Sequence, residues 1–442
     1  MTTASKMKRM WSTFTAITML SSVLFMVPAA QAATLYADSQ LGANDGWGSR
    51  TGTGTTSFTL NGGKSTTSTE TPVTVVTTRD QLKTAVAGTT KAIILVRGTI
   101  DLNAGNTEST YASGTGYNLT TYQNAYYNND SAAISSQETA RAAAATKQKN
   151  QVVISVGSNK TIIGESNTSI IKGGSLYLKG SNNVIIRNIQ FHDALDFFPQ
   201  WDPSDSGGNW NAAYDSMTLD GATNIWIDHC TFADKVTDTN SGMILKNSST
   251  GEVKPFVRHD GLLDAKNGSN FITISYNVFQ DHYKTSLIGS SDSTTTDDGK
   301  LKLTYHHNYF LNSKQRSPRV RYGMVHVYNN YYVGAADQVF GIGYSAKVYS
   351  QNNYLNVSAA TTKLAGYSGS ESVKGKLYDT GTIYKAYGSS TEQSINIATA
   401  NSPQVGTDVG WTPTSYYSYT ADGTVNVPSI VSTYAGAGKP VR

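Results

Sequence analysis

Apolar and polar residues alternate in six segments between positions 183 and 355, and each segment ends in a polar turn followed by an aromatic or aliphatic residue. The segments are NVIIRNIQF (183–191), NIWIDHCTF (224–232), FITISYNVF (271–279), KLTYHHNYF (302–310), HVYNNYYV (326–333) and KVYSQNNYL (347–355). Alternation with period two is typical of a β-strand that buries one face. Repetition of the whole unit predicts similar β coils stacked on one another.

Alignment of the segments places Asn277, Asn308, Asn330 and Asn353 in one column, spaced by 31, 22 and 23 residues. Roughly 22 residues accommodate three short strands and their turns, so the spacing predicts an all-β, single-domain solenoid of parallel coils. Gaps of 41 and 47 residues between the earlier segments indicate long inserted loops. The column favours a structural role: an Asn at a coil corner can adopt a left-handed backbone conformation, and its amide can bond neighbouring coils.

The same pattern predicts the interior and its surroundings. A helix from Arg79 to Val86, opened by Thr77 or Thr78, is expected to cap the N-terminal end of the solenoid. The stretch 103–150 has no repeat and an alanine-rich end that favours helix, so we expect an excursion packed on the coils. The predicted interior residues are Val184, Ile186, Ile225, Ile227, Ile272, Ile274, Leu303, Val325, Val327 and Val348.

The N-terminus has the features of a secretory signal peptide, predicted at residues 1–32. Basic residues at positions 6, 8 and 9 precede an apolar stretch at 17–27, and AQA at 30–32 matches the small-residue pattern of a cleavage site. The mature chain is therefore expected to start at Ala33, to be extracellular, and to form one domain over 33–442. Its single cysteine, Cys230, excludes an intrachain disulfide.

Charge and hydropathy exclude two kinds of partner. The net charge is only +4 over 442 residues, which is low for a nucleic-acid binder that needs a dense basic surface. No segment after the N-terminal one approaches the ~20 consecutive apolar residues of a membrane span. We therefore expect neither a nucleic-acid nor a membrane partner, and a monomer in solution.

Three arginines are concentrated in the run RSPRVR at 316–321, although only 15% of the chain is charged. Arginine presents a planar fork of donors that binds carboxylates bidentately, so Arg316, Arg319 and Arg321 suggest an anionic partner recognised by its geometry. An exposed basic turn explains an isolated arginine cluster equally well.

Three aspartates immediately precede two of the repeated segments: Asp215 before residue 224, and Asp260 and Asp264 before residue 271. On successive coils these positions can lie about 4.8 Å apart, and carboxylates that close repel unless a cation lies among them. Oxygen ligands without Cys or clustered His favour Ca²⁺ over a transition metal. Such aspartates are more often turn residues, but Lys284 and the arginines on the next two coils favour a metal site.

Other polar and aromatic residues have structural interpretations. His229 lies on a period-two strand and is interpreted as a buried hydrogen-bonding residue, and Trp226 as a core residue. His306 and His307 are adjacent and should point to opposite faces, which disfavours a shared metal. In a Ser/Thr-rich loop, three acidic residues are expected to be solvated, with a secondary calcium site as the alternative: Asp292, Asp297 and Asp298.

Three motifs resemble those of the extracellular pectate lyases of the right-handed parallel β-helix class, the family that also contains the pectin lyases. They are WIDH (226–229), DGLLDAKN (260–267), and RSPRVR (316–321) followed by HVYNN (326–330); RGTI (97–100), WDP (201–203) and HYKT (282–285) support them. The likeness extends from about Asp45 to the C-terminus and is to bacillus-type secreted enzymes. It implies a right-handed parallel β-helix.

The resemblance also implies a cofactor. Asp215, Asp260 and Asp264 match the positions that hold the primary calcium in this family. Some members carry a further Asp two residues before the first ligand, and this chain has Ala213 there, so its site has one carboxylate fewer.

For catalysis, the resemblance implies that Arg316 abstracts the proton and that Lys284 and Arg321 bind the carboxylates of 4-linked polygalacturonate. The reaction is a β-elimination at C5 that gives 4,5-unsaturated oligogalacturonides, and calcium would stabilise the enolate-like intermediate. A guanidinium normally stays protonated, but adjacent Ca²⁺, Lys and Arg all disfavour its charged form. An alkaline activity optimum is therefore expected.

Rival functions remain open at this point. A pectin lyase uses the same fold on methyl-esterified substrate without calcium; the three aspartates argue against it, but mixed activity on partly esterified pectin stays plausible. A polygalacturonase needs paired carboxylates and has no need for the arginine and lysine set. A β-helical adhesin or sugar-binding protein has no reason to align a base with calcium ligands.

Overall fold

The computed structural model describes residues 40–64, 72–236, 245–246, 250–251, 254–366 and 373–442. The predicted signal peptide and its cleavage site lie outside these residues, as does part of the stretch 233–258, where a long inserted loop is expected after the segment 224–232.

Successive coils each contribute one strand to three sheets, here called A, B and C, and the strands pair in parallel. Sheet A contains Val73–Val76, Ala92–Val96, Lys160–Gly164, Asn182–Arg187, Thr223–Asp228, Asn270–Ser275, Lys302–His306, Met324–Tyr328, Lys347–Gln351 and Lys376–Thr380. Sheet B contains Thr99–Asp101, Ile170–Lys172, Gln190–His192, Thr231–Ala233, Val278–Gln280, Tyr309–Leu311, Tyr331–Gly334, Tyr354–Val357, Thr382–Ala386 and a final antiparallel strand, Glu392–Ile395. Sheet C contains Val153–Ser155, Ser175–Lys179, Met217–Asp220, Leu263–Lys266, Leu287–Ile288, Arg319–Val320, Phe340–Ile342 and Ala365–Gly366. The predicted parallel β solenoid is confirmed.

Short elements decorate the coils. Two antiparallel pairs form between Arg50–Thr51 and Thr56–Ser57 and between Gln200–Asp202 and Asn209–Asn211. The helices of the described residues are α1 (Arg79–Ala85), α2 (Glu108–Ala112), α3 (Leu119–Tyr127), α4 (Ser131–Val152), α5 (Ile397–Ala400) and α6 (Val427–Tyr434). Single 3₁₀ turns occupy Trp47–Ser49, Thr295–Asp297, Thr361–Lys363, Pro413–Ser415 and Thr424–Asn426. No helix in the described part of the chain is both long and apolar enough to cross a bilayer.

The interior of the solenoid is the one that the alternation predicts. All ten predicted interior residues are fully buried and belong to one core cluster. The last aromatic residue of successive segments forms a second regular feature, a stack of parallel rings with centroids 4.9, 5.1, 5.0 and 4.7 Å apart: Phe191, Phe232, Phe279, Phe310 and Tyr332. These separations are close to the spacing between neighbouring strands, so the rings repeat with the coils.

The asparagine column forms the predicted ladder. Asn308, which is fully buried, accepts from the Asn277 backbone (2.9 Å) and side chain (3.0 Å) through Oδ1. Its Nδ2 donates to Oδ1 of Asn330 (3.0 Å). Nδ2 of Asn330 in turn donates to Oδ1 of Asn353 (3.1 Å). The expected left-handed conformation falls one residue earlier, for example at Tyr276 (φ 51°). That residue turns the corner, and the ladder amide behind it satisfies the backbone groups that the turn leaves unpaired.

Trp226 is buried, as predicted, but it lies outside the main core. It packs on the outer face of sheet A against Leu41, Leu60 and Ile185, under the N-terminal segment. Its Nε1 donates to Oγ of Ser275 (2.9 Å). The period-two alternation of its strand explains this position, because Ile225 and Ile227 on either side point inward.

Helix α1 begins as predicted, with the Thr78 hydroxyl accepting the N–H of Gln81, and it buries Leu82 in the main core beside Val76. Its role as a cap on the solenoid stays a prediction. The excursion at 103–150 is more helical than its alanine-rich end suggests, since it contains α2, α3 and α4. Its aromatic side chains pack with Trp201 and Trp210 of the antiparallel pair in a separate cluster.

We expect replacement of Asn308 by Ala to lower the free energy of unfolding by about 3 kcal/mol, because it leaves buried groups of two neighbouring coils without partners. Urea denaturation measures the change. Asn167→Ala is the control: Asn167 is exposed, and its loss should stay within about 0.5 kcal/mol. Equal effects of the two substitutions would contradict a stabilising ladder.

Candidate functional site

Four of the six predicted site residues precede neighbouring strands of sheet C, whereas Asp264 lies within the strand Leu263–Lys266 and Arg321 follows the strand Arg319–Val320. Gly261 pairs in parallel with Lys284, and Lys284 pairs with Gln315 on the next coil. On the other side, the N–H of Ser216 donates to the carbonyl of Gly261 (3.1 Å). The residues adjacent to these positions therefore lie on successive coils at one edge of sheet C: Asp215, Asp260, Lys284 and Arg316.

Asp215 and Asp264 form the buried part of the acidic group, being 5% and 7% exposed. Asp215 accepts the N–H of Gly261 through Oδ1 (3.0 Å) and the hydroxyl of Thr218 through Oδ2 (2.7 Å). Asp264 accepts the N–H of Leu287 through Oδ1 (2.9 Å). A Cβ built on Gly261 would lie 2.7 Å from Oδ1 of both carboxylates, so the two oxygens converge on a space that only glycine leaves open.

The electrostatics of this group are unfavourable without a cation. Burial, with the charge of Asp260 second, raises the pKa of Asp215 to about 6. Burial raises the pKa of Asp264 well above its usual value, and the charges of Asp215 and Asp260 add to the effect. Arg316 acts in the opposite direction on Asp264. A divalent cation among the three carboxylates would relieve the repulsion, and their oxygens are the ligands that calcium prefers.

Lys284 and Arg316 bring positive charge to this edge. Nζ of Lys284 lies 3.3 Å from Oδ1 of Asp260 on the preceding coil. Arg316 has a left-handed backbone (φ 61°) and precedes a cis Ser317–Pro318 bond. Its Nε is buried and hydrogen-bonds to no residue in the described ranges.

The other two arginines of the run have different surroundings. Arg321 donates from Nε to Oδ1 of Asp292 (2.6 Å) and from Nη1 to the carbonyl of Gly289 (3.1 Å). Arg319 belongs to sheet C, and a Cβ on Gly341 of the next coil would lie 2.5 Å from its Cγ, so its aliphatic stem packs against that coil.

The loop that contains Asp292 corrects one prediction. Asp292 is exposed, as predicted, and it also forms an ion pair with Arg321. Asp297, expected to be solvated as well, is fully buried, because a 3₁₀ turn folds it inward and its Oδ1 accepts the N–H of Gly268 (2.6 Å). Asp298 is exposed, as predicted.

A group that the sequence argument missed lies beside the predicted site. The group consists of Asp193, Asp234 and His259. One ligand atom from each residue lies within 4.8 Å of the other two, so among the described residues this group is close enough together to hold a metal ion. His282 connects the group to the site: its Nδ1 lies 2.6 Å from Oδ2 of Asp234, and its Nε2 lies 2.9 Å from the carbonyl oxygen of Asp260. The segment alignment contained a signal, since Asp193 and Asp234 each follow a stacked phenylalanine by two positions.

The remaining histidines are structural. His229 is buried and its Nδ1 bonds the neighbouring carboxylate of Asp228 (2.5 Å), as predicted. The prediction that His306 and His307 point to opposite faces is wrong: their Nδ1 atoms are 2.9 Å apart, because His307 has φ 55° and breaks the alternation. Nε2 of His307 contacts Oδ2 of Asp422 (2.9 Å), which fastens the C-terminal segment to sheet A.

Comparisons with known proteins agree with this geometry. The family model described as pectate lyase matches residues 129–440. A pectate lyase of Bacillus subtilis (strain 168) is 42% identical over 95% of this chain and 99% of its own length. The structure of a variant of a Bacillus subtilis pectate lyase superposes with a TM-score of 0.79 at 41% identity, covering 92% of this chain and 99% of the other. A pectate lyase bound to a hexasaccharide gives a TM-score of 0.78 at 41% identity with the same coverage.

Two buried aspartates should respond in opposite directions to the same substitution. When a carboxyl has a raised pKa in the folded state, the protein loses stability as the pH rises through that pKa, because the buried group must then carry a charge. Asp215→Asn removes this charge, so in EDTA at pH 8 it should raise the free energy of unfolding by roughly 1–3 kcal/mol. The gain should shrink as the pH falls below 6 and vanish below about pH 3, where Asp215 is protonated in both the folded and the unfolded state.

Asp228→Asn is the matched control. Burial alone would raise the pKa of Asp228, but Arg187 (Nη2 to Oδ2, 2.6 Å) and His229 hold it well below its usual value. Removal of this charge takes the carboxylate partner from the buried guanidinium of Arg187, so unfolding at pH 8 should become easier by roughly 3–5 kcal/mol. Chemical denaturation at the two pH values measures both variants; a destabilised Asp215→Asn at pH 8 would show that its charge is already compensated.

Proposed function

The chain belongs to the pectate lyase family, and on that premise we propose that it cleaves 4-linked polygalacturonate by calcium-dependent β-elimination. The observation that carries the proposal is the placement of carboxylates, a lysine and an arginine on successive coils at one edge of sheet C. A linear polyanion can contact such an edge along its length, with a cation bound by the carboxylates and a positive side chain on each of the next two coils.

We assign calcium to Asp215, Asp260 and Asp264. Two of these carboxylates are buried with raised pKa values, and their oxygens converge beside Gly261, so the donor set fits a divalent cation. Bound calcium would withdraw charge from a substrate carboxylate and so make the neighbouring C–H more acidic. The backbone N–H groups of Gly261 and Leu287 orient the carboxylates.

Arg316 is assigned as the group that takes the C5 proton. Its buried Nε, turned inward by the left-handed backbone, is not engaged by the described residues. Lys284 lies one coil before it and is assigned to a substrate carboxylate, as is Arg321. Asp292 and the Gly289 carbonyl fix the orientation of the Arg321 guanidinium before substrate arrives.

We further propose that residues 1–32 direct secretion and are removed, and that residues 33–442 form one monomeric catalytic domain without nucleic-acid or membrane partners. One core cluster that extends from Val76 to Val405 supports a single domain.

Substrate and metal dependence test the function directly. Unsaturated product, followed by its ultraviolet absorbance, should accumulate on polygalacturonate with Ca²⁺ and disappear in EDTA. Activity on highly methylated pectin should be much weaker, because esterification removes the charge that calcium, Lys284 and Arg321 would bind. EDTA-resistant activity confined to methylated pectin would instead identify a pectin lyase.

Arg316→Ala should reduce turnover by roughly 10²–10⁴-fold, the usual contribution of a general base, with calcium affinity and melting temperature retained. The wild type should be most active at alkaline pH, where a guanidinium gives up its proton more readily. Arg97→Ala is the control, because Arg97 is exposed and pairs with Glu165 far along the chain from the site. Substantial activity in Arg316→Ala would place the base elsewhere.

A further inference from the structure

Asp196 is a buried carboxylate to which the proposed mechanism gives no role. It follows the sheet B strand Gln190–His192 and is 2% exposed. Its Oδ1 accepts the N–H of Phe198 (2.8 Å), and its Oδ2 accepts the N–H of Ala213 (3.1 Å). Its own N–H donates to the carbonyl of Arg258 (2.8 Å).

These contacts connect Asp196 to both segments that deliver calcium ligands. Ala213 stands two residues before Asp215, and Arg258 stands two residues before Asp260. Two residues of extended chain span roughly 7 Å, so the carboxylate of Asp196 lies within electrostatic range of the site. Burial raises the pKa of Asp196 to about 6; Arg141 opposes this and the negative charge of Asp260 adds to it.

Helix α4 holds this carboxylate in place. Nε2 of Gln148 donates to the carbonyl of Leu195 (2.7 Å), and Oε1 of Gln148 accepts the N–H of Phe197 (3.0 Å). Gln148 is fully buried, and its two bonds bracket Asp196. The helical excursion therefore fixes the residues on both sides of the buried charge.

We propose that Asp196 is a positioning residue of the calcium site, whose buried charge takes the place of the carboxylate that is absent at position 213. Ala213 is exposed between buried neighbours, so its side chain offers no ligand, while its backbone N–H contacts Asp196. Asp196 adds negative potential where Asp215 and Asp260 bind the ion, and it fixes the segments that carry them. The inference rests on the proposed function, which assigns calcium to those residues.

The test is calcium titration of the full mature chain by calorimetry. Asp196→Asn keeps the shape and one acceptor oxygen, and it should weaken calcium binding by roughly tenfold, since ligand charge sets the affinity of such sites. Asp379→Asn is the matched control: Asp379 is also 2% exposed and bonds the Ile397 N–H (2.8 Å) at the C-terminal end of sheet A. It should leave calcium affinity unchanged.

A second substitution separates charge from a merely structural effect. Ala213→Asp in the Asp196→Asn background should restore the lost affinity, because it returns a carboxylate near the ion without repairing the original contacts. In the otherwise unchanged chain, Ala213→Asp alone should tighten calcium binding, and this arm remains informative if Asp196→Asn does not fold.

Wild-type affinity in Asp196→Asn, or no gain from Ala213→Asp in either background, would overturn the inference. Asp215→Asn distinguishes this failure from failure of the proposed function. If calcium binding is lost in Asp215→Asn but not weakened in Asp196→Asn, the calcium site stands and the role of Asp196 does not. If the wild type itself binds no calcium, both are wrong.

Discussion

The spacing between parallel coils is the constraint on which the rest of this structure depends. Each coil lies one strand separation, about 4.8 Å, from the next. Side chains of the same type at matching positions of successive coils are therefore in direct contact. For an amide such as Asn308, a like neighbour supplies both donor and acceptor. For carboxylates the same arrangement is repulsive, so the geometry that stabilises the ladder also concentrates charge at the edge of sheet C.

Two kinds of buried aspartate show how the fold treats that charge. Asp228 is compensated within the protein by Arg187, and the pair lies outside the site. Asp215 and Asp264 accept hydrogen bonds from backbone and hydroxyl groups, and under the proposed function calcium would supply the remaining compensation. Lys284 and Arg316 lie on the next two coils, and under the proposed function they would meet the polyanion beside the bound cation.

Most of the fold was predictable because a period of two and a coil repeat are both visible in one dimension. The ten interior residues, the ladder and the buried His229 follow from alternation and spacing alone. Predictions failed where the backbone leaves those rules. A left-handed residue brings the rings of His306 and His307 together, and a 3₁₀ turn buries Asp297. Asp196 carries no sequence signal, because its contacts are to backbone groups of distant segments.

The column that contains the asparagine ladder begins, on an earlier coil, with the only cysteine of the chain. The N–H of Cys230 donates to Oδ1 of Asn277 (2.8 Å), its thiol is fully buried, and burial raises the thiol pKa to about 12. A thiolate is the reactive form, so native Cys230 is protected from oxidants and alkylating reagents even in alkaline solution. Because the buried thiol can react only after the coil around it has opened, the rate of thiol labelling measures how often the solenoid opens locally.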